Sequence, residues 1–156
     1  MYRTLKLAAC LMVLSCAAGV GAQPKPDFSG SWKLNREKSS APGVTLPDPW
    51  TRTITHSGKS LELKSSQPRN SGAWKVGLEI GGREAAFEGD VTGAGLLRWD
   101  GVELVFEFKR QPAHGGIVLF QTERWGLSPD GKTLTARVIS KTPHGEQHRT
   151  MVWERQ

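Results

Sequence analysis

Four histidines, fifteen carboxylates and two cysteines are the side chains of this 156-residue chain with the widest chemical repertoire, and their spacing excludes most of it. His144 and His148 stand four apart, which on a helix would offer two imidazoles to one ion. They fall in an alternating stretch, however, and four residues of extended strand span about 13 Å at roughly 3.3 Å per residue, too far for one metal. His114 falls in a loop and His56 beside a turn, so neither a metal nor a cofactor is expected. The chain has no G-x-S-x-G elbow, no phosphate-cradling glycine loop and no H-E-x-x-H. Glu103 and Glu107 share a strand face, but it is the solvated one. No side chain nominates itself for catalysis, and a non-catalytic role is the expectation.

The stronger candidates are polar residues that the strand registers turn inward. Trp50 to His56 and Leu61 to Gln67 flank Gly58-Lys59; as a two-residue turn this sets His56 opposite Leu61, Ile54 opposite Leu63 and Arg52 opposite Ser65. Ile117 to Ser128 and Thr133 to Lys141 flank Asp130-Gly131, setting Leu127 opposite Leu134, Trp125 opposite Ala136 and Glu123 opposite Val138. Leu96 to Arg110 folds around Asp100-Gly101, which suits a type I′ turn and sets Trp99 opposite Val102, Leu97 opposite Leu104 and Arg98 opposite Glu103. Faces fixed by Ile54, Leu63, Trp125, Leu127 and Met151 then carry Arg52, Ser65, Gln67, Gln121, Glu123 and Arg149 inward.

Polar groups on an inward face need partners or water. Two readings are open. In one, they fix the polar end of a ligand: Arg52 and Arg149 hold a carboxylate or phosphate, and Gln121, Glu123, Trp74 and Trp125 line the site. In the other, Glu123 pairs with an arginine as an internal bridge. The six tryptophans, nearly one per hairpin, serve either as core and end plugs or as an apolar lining.

Residues 1–22 read as an export signal: Arg3 and Lys6 precede an apolar run from Leu7 to Ala18, and Val20-Gly21-Ala22 offers a cleavage site. Periplasmic or secreted export is expected, with a lipoprotein anchored through Cys16 as the alternative and the only route to a membrane. Both cysteines lie in this leader, so no disulfide is expected. Residues 23–27 form a proline-containing linker, and 28–156 one domain, expected to be a monomer. The net charge of +6 invites a nucleic-acid partner, which export argues against.

Within the domain, Phe28, Gly30, Trp32 and Leu34 alternate with Ser29, Ser31 and Lys33 as an opening strand. Asn35 to Pro49 follows as a long loop, with one helical turn over Asn35 to Ser39; a loop of this length is usually a lid or otherwise functional. Trp74 to Ile80 is a strand, Glu84 to Glu88 a weak one, and Asp90 to Gly95 a loop. Strands at near-regular spacing predict an all-β fold, an antiparallel up-and-down meander of about 8–10 strands closed into a barrel, with a β-sandwich as the alternative.

Gly30-Ser31-Trp32 resembles the G-x-W signature on the first strand of lipocalins. The wider pattern, "FSGSWKLN…KS" early, "WGLSPDGKTLT" late and a final "MVWERQ", resembles exported lipocalin-like proteins of bacteria. The resemblance implies that Trp32 closes one barrel end beneath a basic residue from the last strands, Arg149 or Arg155. It also implies an interior that either binds one small hydrophobic or amphipathic molecule, to which the inward Arg52 and Arg149 add an anionic head group, or is filled by side chains. The filled alternative would make the protein a cell-envelope interaction or structural protein.

Overall fold

The computed structural model describes residues 24–68 and 73–156. The expected export signal, its cleavage after Ala22 and the alternative anchor at Cys16 lie outside the described residues. Among those described there is no helix. The chain forms β1 (Gly30–Ser40), β2 (Thr51–Ser57), β3 (Ser60–Ser66), β4 (Trp74–Glu79), β5 (Ala85–Ala86), β6 (Glu88–Gly89), β7 (Val91–Asp100), β8 (Glu103–Pro112), β9 (Leu119–Leu127), β10 (Thr133–Thr142) and β11 (Gly145–Arg155). They make one sheet in the order β5-β7-β8-β9-β10-β11-β1-β2-β3-β4-β6, every ladder antiparallel. The first strand meets the last, and the two ends of the sheet approach through a parallel bridge from Ile80 to Leu97, so the meander is a nearly closed barrel.

Alternation turns one face of each strand into the interior: Leu61, Leu63 and Ser65 of β3, Trp74, Val76 and Leu78 of β4, and Gln121, Glu123 and Trp125 of β9 are all buried. The opening residues close one end. Phe28 is fully buried against Trp99 and Trp125, with ring centroids 6.1 and 6.0 Å away. Trp32 is buried beside it and donates its indole N–H to the Phe28 carbonyl at 3.1 Å. Arg155 lies 4.4 Å above the Trp32 ring, so the cation comes from Arg155 and not from Arg149. Gly30 is required there: its φ is +141°, and a Cβ would sit 2.5 Å from the Arg155 guanidinium.

The registers of the β2–β3 and β9–β10 hairpins match the pairs deduced from turn chemistry. The β7–β8 register does not. Asp100 pairs with Glu103, Trp99 with Leu104 and Leu97 with Phe106, so the turn centres on Gly101-Val102. Arg124 of β9 explains the difference by gripping both Asp100 and Glu103, which fixes them as the last strand pair. Arg98 therefore pairs with Glu107, at 3.4 Å, and not with Glu103. Each partner moves by two residues, so the faces are unchanged.

Three further expectations are corrected. Asn35 to Ser39 is strand, not a helical turn: Ser39 donates to the Asn35 carbonyl at 2.6 Å and accepts from the Val152 N–H at 2.9 Å, carrying β1 across an irregularity in its pairing with β11. Residues 91–95 begin β7 and are no loop. Glu84 to Glu88 is divided: Ala85–Ala86 joins β7, Glu88 pairs with β4, and Phe87 between them points inward.

Candidate functional site: a basic layer at the barrel mouth

Charge enters the interior at β2, where Arg52 takes the inward position between Trp50 and Ile54. Arg52 and Glu123 are both almost fully buried, and they form a two-pronged ion pair: Nη1 to Oε2 at 2.7 Å and Nη2 to Oε1 at 2.9 Å. Glu123 also accepts from Gln121 Nε2 at 2.6 Å and Trp125 Nε1 at 2.7 Å. Its carboxylate thus has four donors. Burial alone would raise its pKa, but the Arg52 charge and the hydrogen bonds from Arg52, Trp125 and Gln121 outweigh it and hold the group below its ordinary value. The Arg52 guanidinium is boxed by aromatic rings, 4.5 Å from the centroid of Trp153, 5.5 Å from Trp125 and 5.7 Å from Trp50.

Toward the open end the network continues through Gln121, whose Oε1 accepts from Ser140 Oγ at 3.1 Å. Arg149 donates to the same Ser140 hydroxyl, and its Nη2 lies 3.5 Å from Gln121 Oε1. Ser65 accepts from Trp50 Nε1 at 3.0 Å. Gln67, expected to face inward, lies just past β3 and is half-buried.

The sequence reading missed Arg110. It follows Phe106 and Phe108 at the period of two along β8, with its guanidinium 5.9 Å from the Phe108 ring and 6.0 Å from the Trp74 ring. The parity of those phenylalanines was the available signal. Arg110 and Arg149 are both half-buried, and among the described residues neither has a carboxylate within ion-pair distance. Burial lowers the pKa of each and Glu123 opposes that in both; for Arg110 the charges of Arg52 and Arg149 lower it further. A guanidinium stays protonated regardless, so two uncompensated cations stand at the mouth.

Trp50, Arg52, Trp74, Phe108, Arg110, Gln121, Glu123 and Arg149 line one interior cavity of about 50 Å³. That is room for a few water-sized groups, at roughly 15 Å³ of accessible space for each. Four buried N–H groups on this lining have no acceptor: Nε of Arg52, Arg110 and Arg149, and Nε1 of Trp74. Of the six residues named from the sequence as ligand-binding candidates, Gln121, Glu123, Arg149, Arg52 and Trp74 border this cavity, with both terminal nitrogens of Arg52 engaged by Glu123. Trp125 lies deeper, as a donor to Glu123. Beyond it Phe28, Trp32, Phe106, Leu97 and Leu104 fill the barrel. A larger groove of about 840 Å³ runs outside the barrel between β1 and residues 41–48. Of the charged groups on it, Glu154 pairs with Lys38 at 2.9 Å and Arg36 with Asp48 at 3.7 Å. Leu46 of that segment is buried in the core.

No protein-family model matches the chain, and no curated protein matches its sequence. Solved structures do. Zebrafish ileal bile acid-binding protein complexed with cholic acid superposes with a TM-score of 0.58, 15% identity and coverage of 83% of this chain and 98% of that one. A secretory abundant heat soluble protein from Ramazzottius varieornatus gives 0.56 at 12% identity, covering 83% and 95%. Human cRBP IV gives 0.52 at 15% identity, covering 84% and 99%. At such identities the similarity is one of fold, and with the sheet order and the Gly30–Trp32–Arg155 closure it gives this chain a lipocalin-like β-barrel fold.

Proposed function

We propose that this barrel binds a small hydrophobic or amphipathic molecule whose anionic group is held at the mouth by Arg110 and Arg149. One observation carries the reading: two half-buried guanidiniums without a carboxylate partner face a single interior cavity. Burying a cation without compensation costs several kcal/mol by continuum reasoning, so a fold that retains two of them is expected to meet an anion there. Arg52 belongs to the floor of the site, because its charge is already balanced by Glu123. Trp50, Trp74 and Phe108 would flank the apolar part of the ligand. The bile acid-binding neighbour, complexed with cholic acid, is a barrel of this fold holding an amphipathic molecule.

A filled-core interaction protein is the second reading, favoured by the small volume of the cavity, about 50 Å³. Native mass spectrometry of the purified protein separates the two. A co-purified amphiphile, lost on Arg110→Met or Arg149→Met, supports the binding protein; an adduct-free spectrum that persists after incubation with medium-chain carboxylates supports the filled core. The leader-like residues 1–22 support export, with anchoring at Cys16 as the alternative. Amino-terminal sequencing of the cell-derived protein would give Gln23 for simple export and a blocked, lipid-modified Cys16 for the anchor.

A further inference from the structure

The charges and donors at the mouth define the head group more narrowly than anionic. The interior layer holds three guanidiniums, Arg52, Arg110 and Arg149, and one carboxylate, Glu123. Arg52 and Glu123 cancel each other across two short hydrogen bonds, which leaves Arg110 and Arg149 and a surplus of two positive charges. A single carboxylate would neutralise only half of that surplus.

Hydrogen bonding independently calls for an acceptor-only group. The side-chain atoms of the cavity-wall residues left without a hydrogen-bond partner are all donors: Nε of Arg52, Arg110 and Arg149, and Nε1 of Trp74. The acceptors nearby are already used. Glu123 has four donors, and Gln121 Oε1 accepts from Ser140. A head group that itself needs donor hydrogens bound, such as a hydroxyl or an amide, would find few acceptors. One with several acceptor oxygens and no hydrogen to give would suit a wall of donors.

From these observations, and resting on the ligand-binding reading above, we infer that the site is built for a dianionic, acceptor-only head group, a phosphate monoester, and not for a monoanionic carboxylate. Such a group carries close to two charges at neutral pH, with its second ionisation near pH 6, and offers three strong acceptor oxygens. Its three equivalent oxygens can meet a guanidinium on either side and an indole N–H. The source is either a phosphorylated amphiphile, whose head group takes the cavity and whose alkyl part leaves it past the rims of Trp50, Trp74 and Phe108, or the free phosphate ion.

Calorimetric titration of the purified protein at pH 8 with octyl phosphate, octanoate, octanol and inorganic phosphate tests this. Octyl phosphate is expected to bind at least tenfold more tightly than octanoate, and to lose several-fold in affinity between pH 8 and pH 5 as the second proton returns, while octanoate stays level from pH 8 to pH 6. Arg110→Lys, which keeps the charge and the fold but removes the fork of donors, is expected to narrow the gap between the two ligands. Octanoate binding as well as octyl phosphate overturns the dianion inference and leaves the binding function standing. Failure of all four ligands overturns both. If inorganic phosphate binds as tightly as octyl phosphate, the free ion is the source; if it binds at least tenfold more weakly, the amphiphile is.

Discussion

At the scale of residues, the interior holds two kinds of arginine with opposite expected behaviour. Arg52 is structural: its terminal nitrogens are committed to Glu123. Removing one partner of a buried pair leaves the other charge stranded, so Glu123→Gln should cost about 3–5 kcal/mol in chemical denaturation, while Arg52→Met with Glu123→Leu should recover most of that loss. The pH dependence has a definite sign. The folded Glu123 pKa is depressed below the ordinary value of 4.5, so its contribution is fully present above about pH 4.5 and is lost as the pH falls through the folded value. The Glu123→Gln protein should lack that acid-side loss. Arg110 is the opposite case, because nothing in the described chain balances it. Arg110→Met should leave the ligand-free protein as stable or more stable by about 0.5–2 kcal/mol, while binding of anionic ligands falls. A drop in stability comparable to that of Glu123→Gln would make Arg110 a structural residue instead.

Elements position these groups, and most of that positioning was readable. Gly58-Lys59 and Asp130-Gly131 set their hairpin registers through local turn chemistry alone, and with them the inward placement of Arg52, Gln121 and Glu123. The β7–β8 register was displaced because Arg124, brought in from β9, grips Asp100 and Glu103; a tertiary ion pair overrode the turn preference of Asp-Gly. The strand continuing through Asn35 to Ser39 was hidden for a related reason. Its serine and asparagine side chains look like helix-end signals, yet Ser39 serves to join two strands across an irregularity. Least legible was the segment between β4 and β7, whose two strands have two residues each. There Phe87 inserts between Trp74, 5.0 Å away edge-on, and Phe108, 5.7 Å away, at the one place where the sheet does not close by a full ladder. Phe87→Ala should cost about 3–5 kcal/mol and open volume beside the cavity, read as a shift of the preferred alkyl length upward in a chain-length series. At the closed end, Gly30→Ala should cost about 1–3 kcal/mol, since it strains a positive φ and displaces Arg155 from Trp32.

For the whole molecule, one end of the barrel is solid and the other is charged. Phe28, Trp32, Trp99 and Trp125 close the first, and Lys25 lies 5.1 Å over the Trp99 ring on its outside. The paired Arg52 and Glu123 then form a floor, above which Arg110, Arg149 and Trp74 present unsatisfied donors to a small cavity. On the outer face several charges pair, as in the cluster of Asp100, Glu103, Arg124 and Arg137, whereas at the mouth cations without a carboxylate partner coincide with buried unsatisfied donors. The central claim is that a ligand anion meets Arg110 and Arg149 together inside the barrel. The most direct measurement is the ¹⁵N–¹H resonance of each arginine Nε during titration with octyl phosphate. The Arg110 and Arg149 signals are expected to move together, saturating at one equivalent, while those of Arg98 and Arg124 on the outer face stay fixed. Unchanged Arg110 and Arg149 signals at saturating ligand, or shifts confined to the outer arginines, would contradict the account.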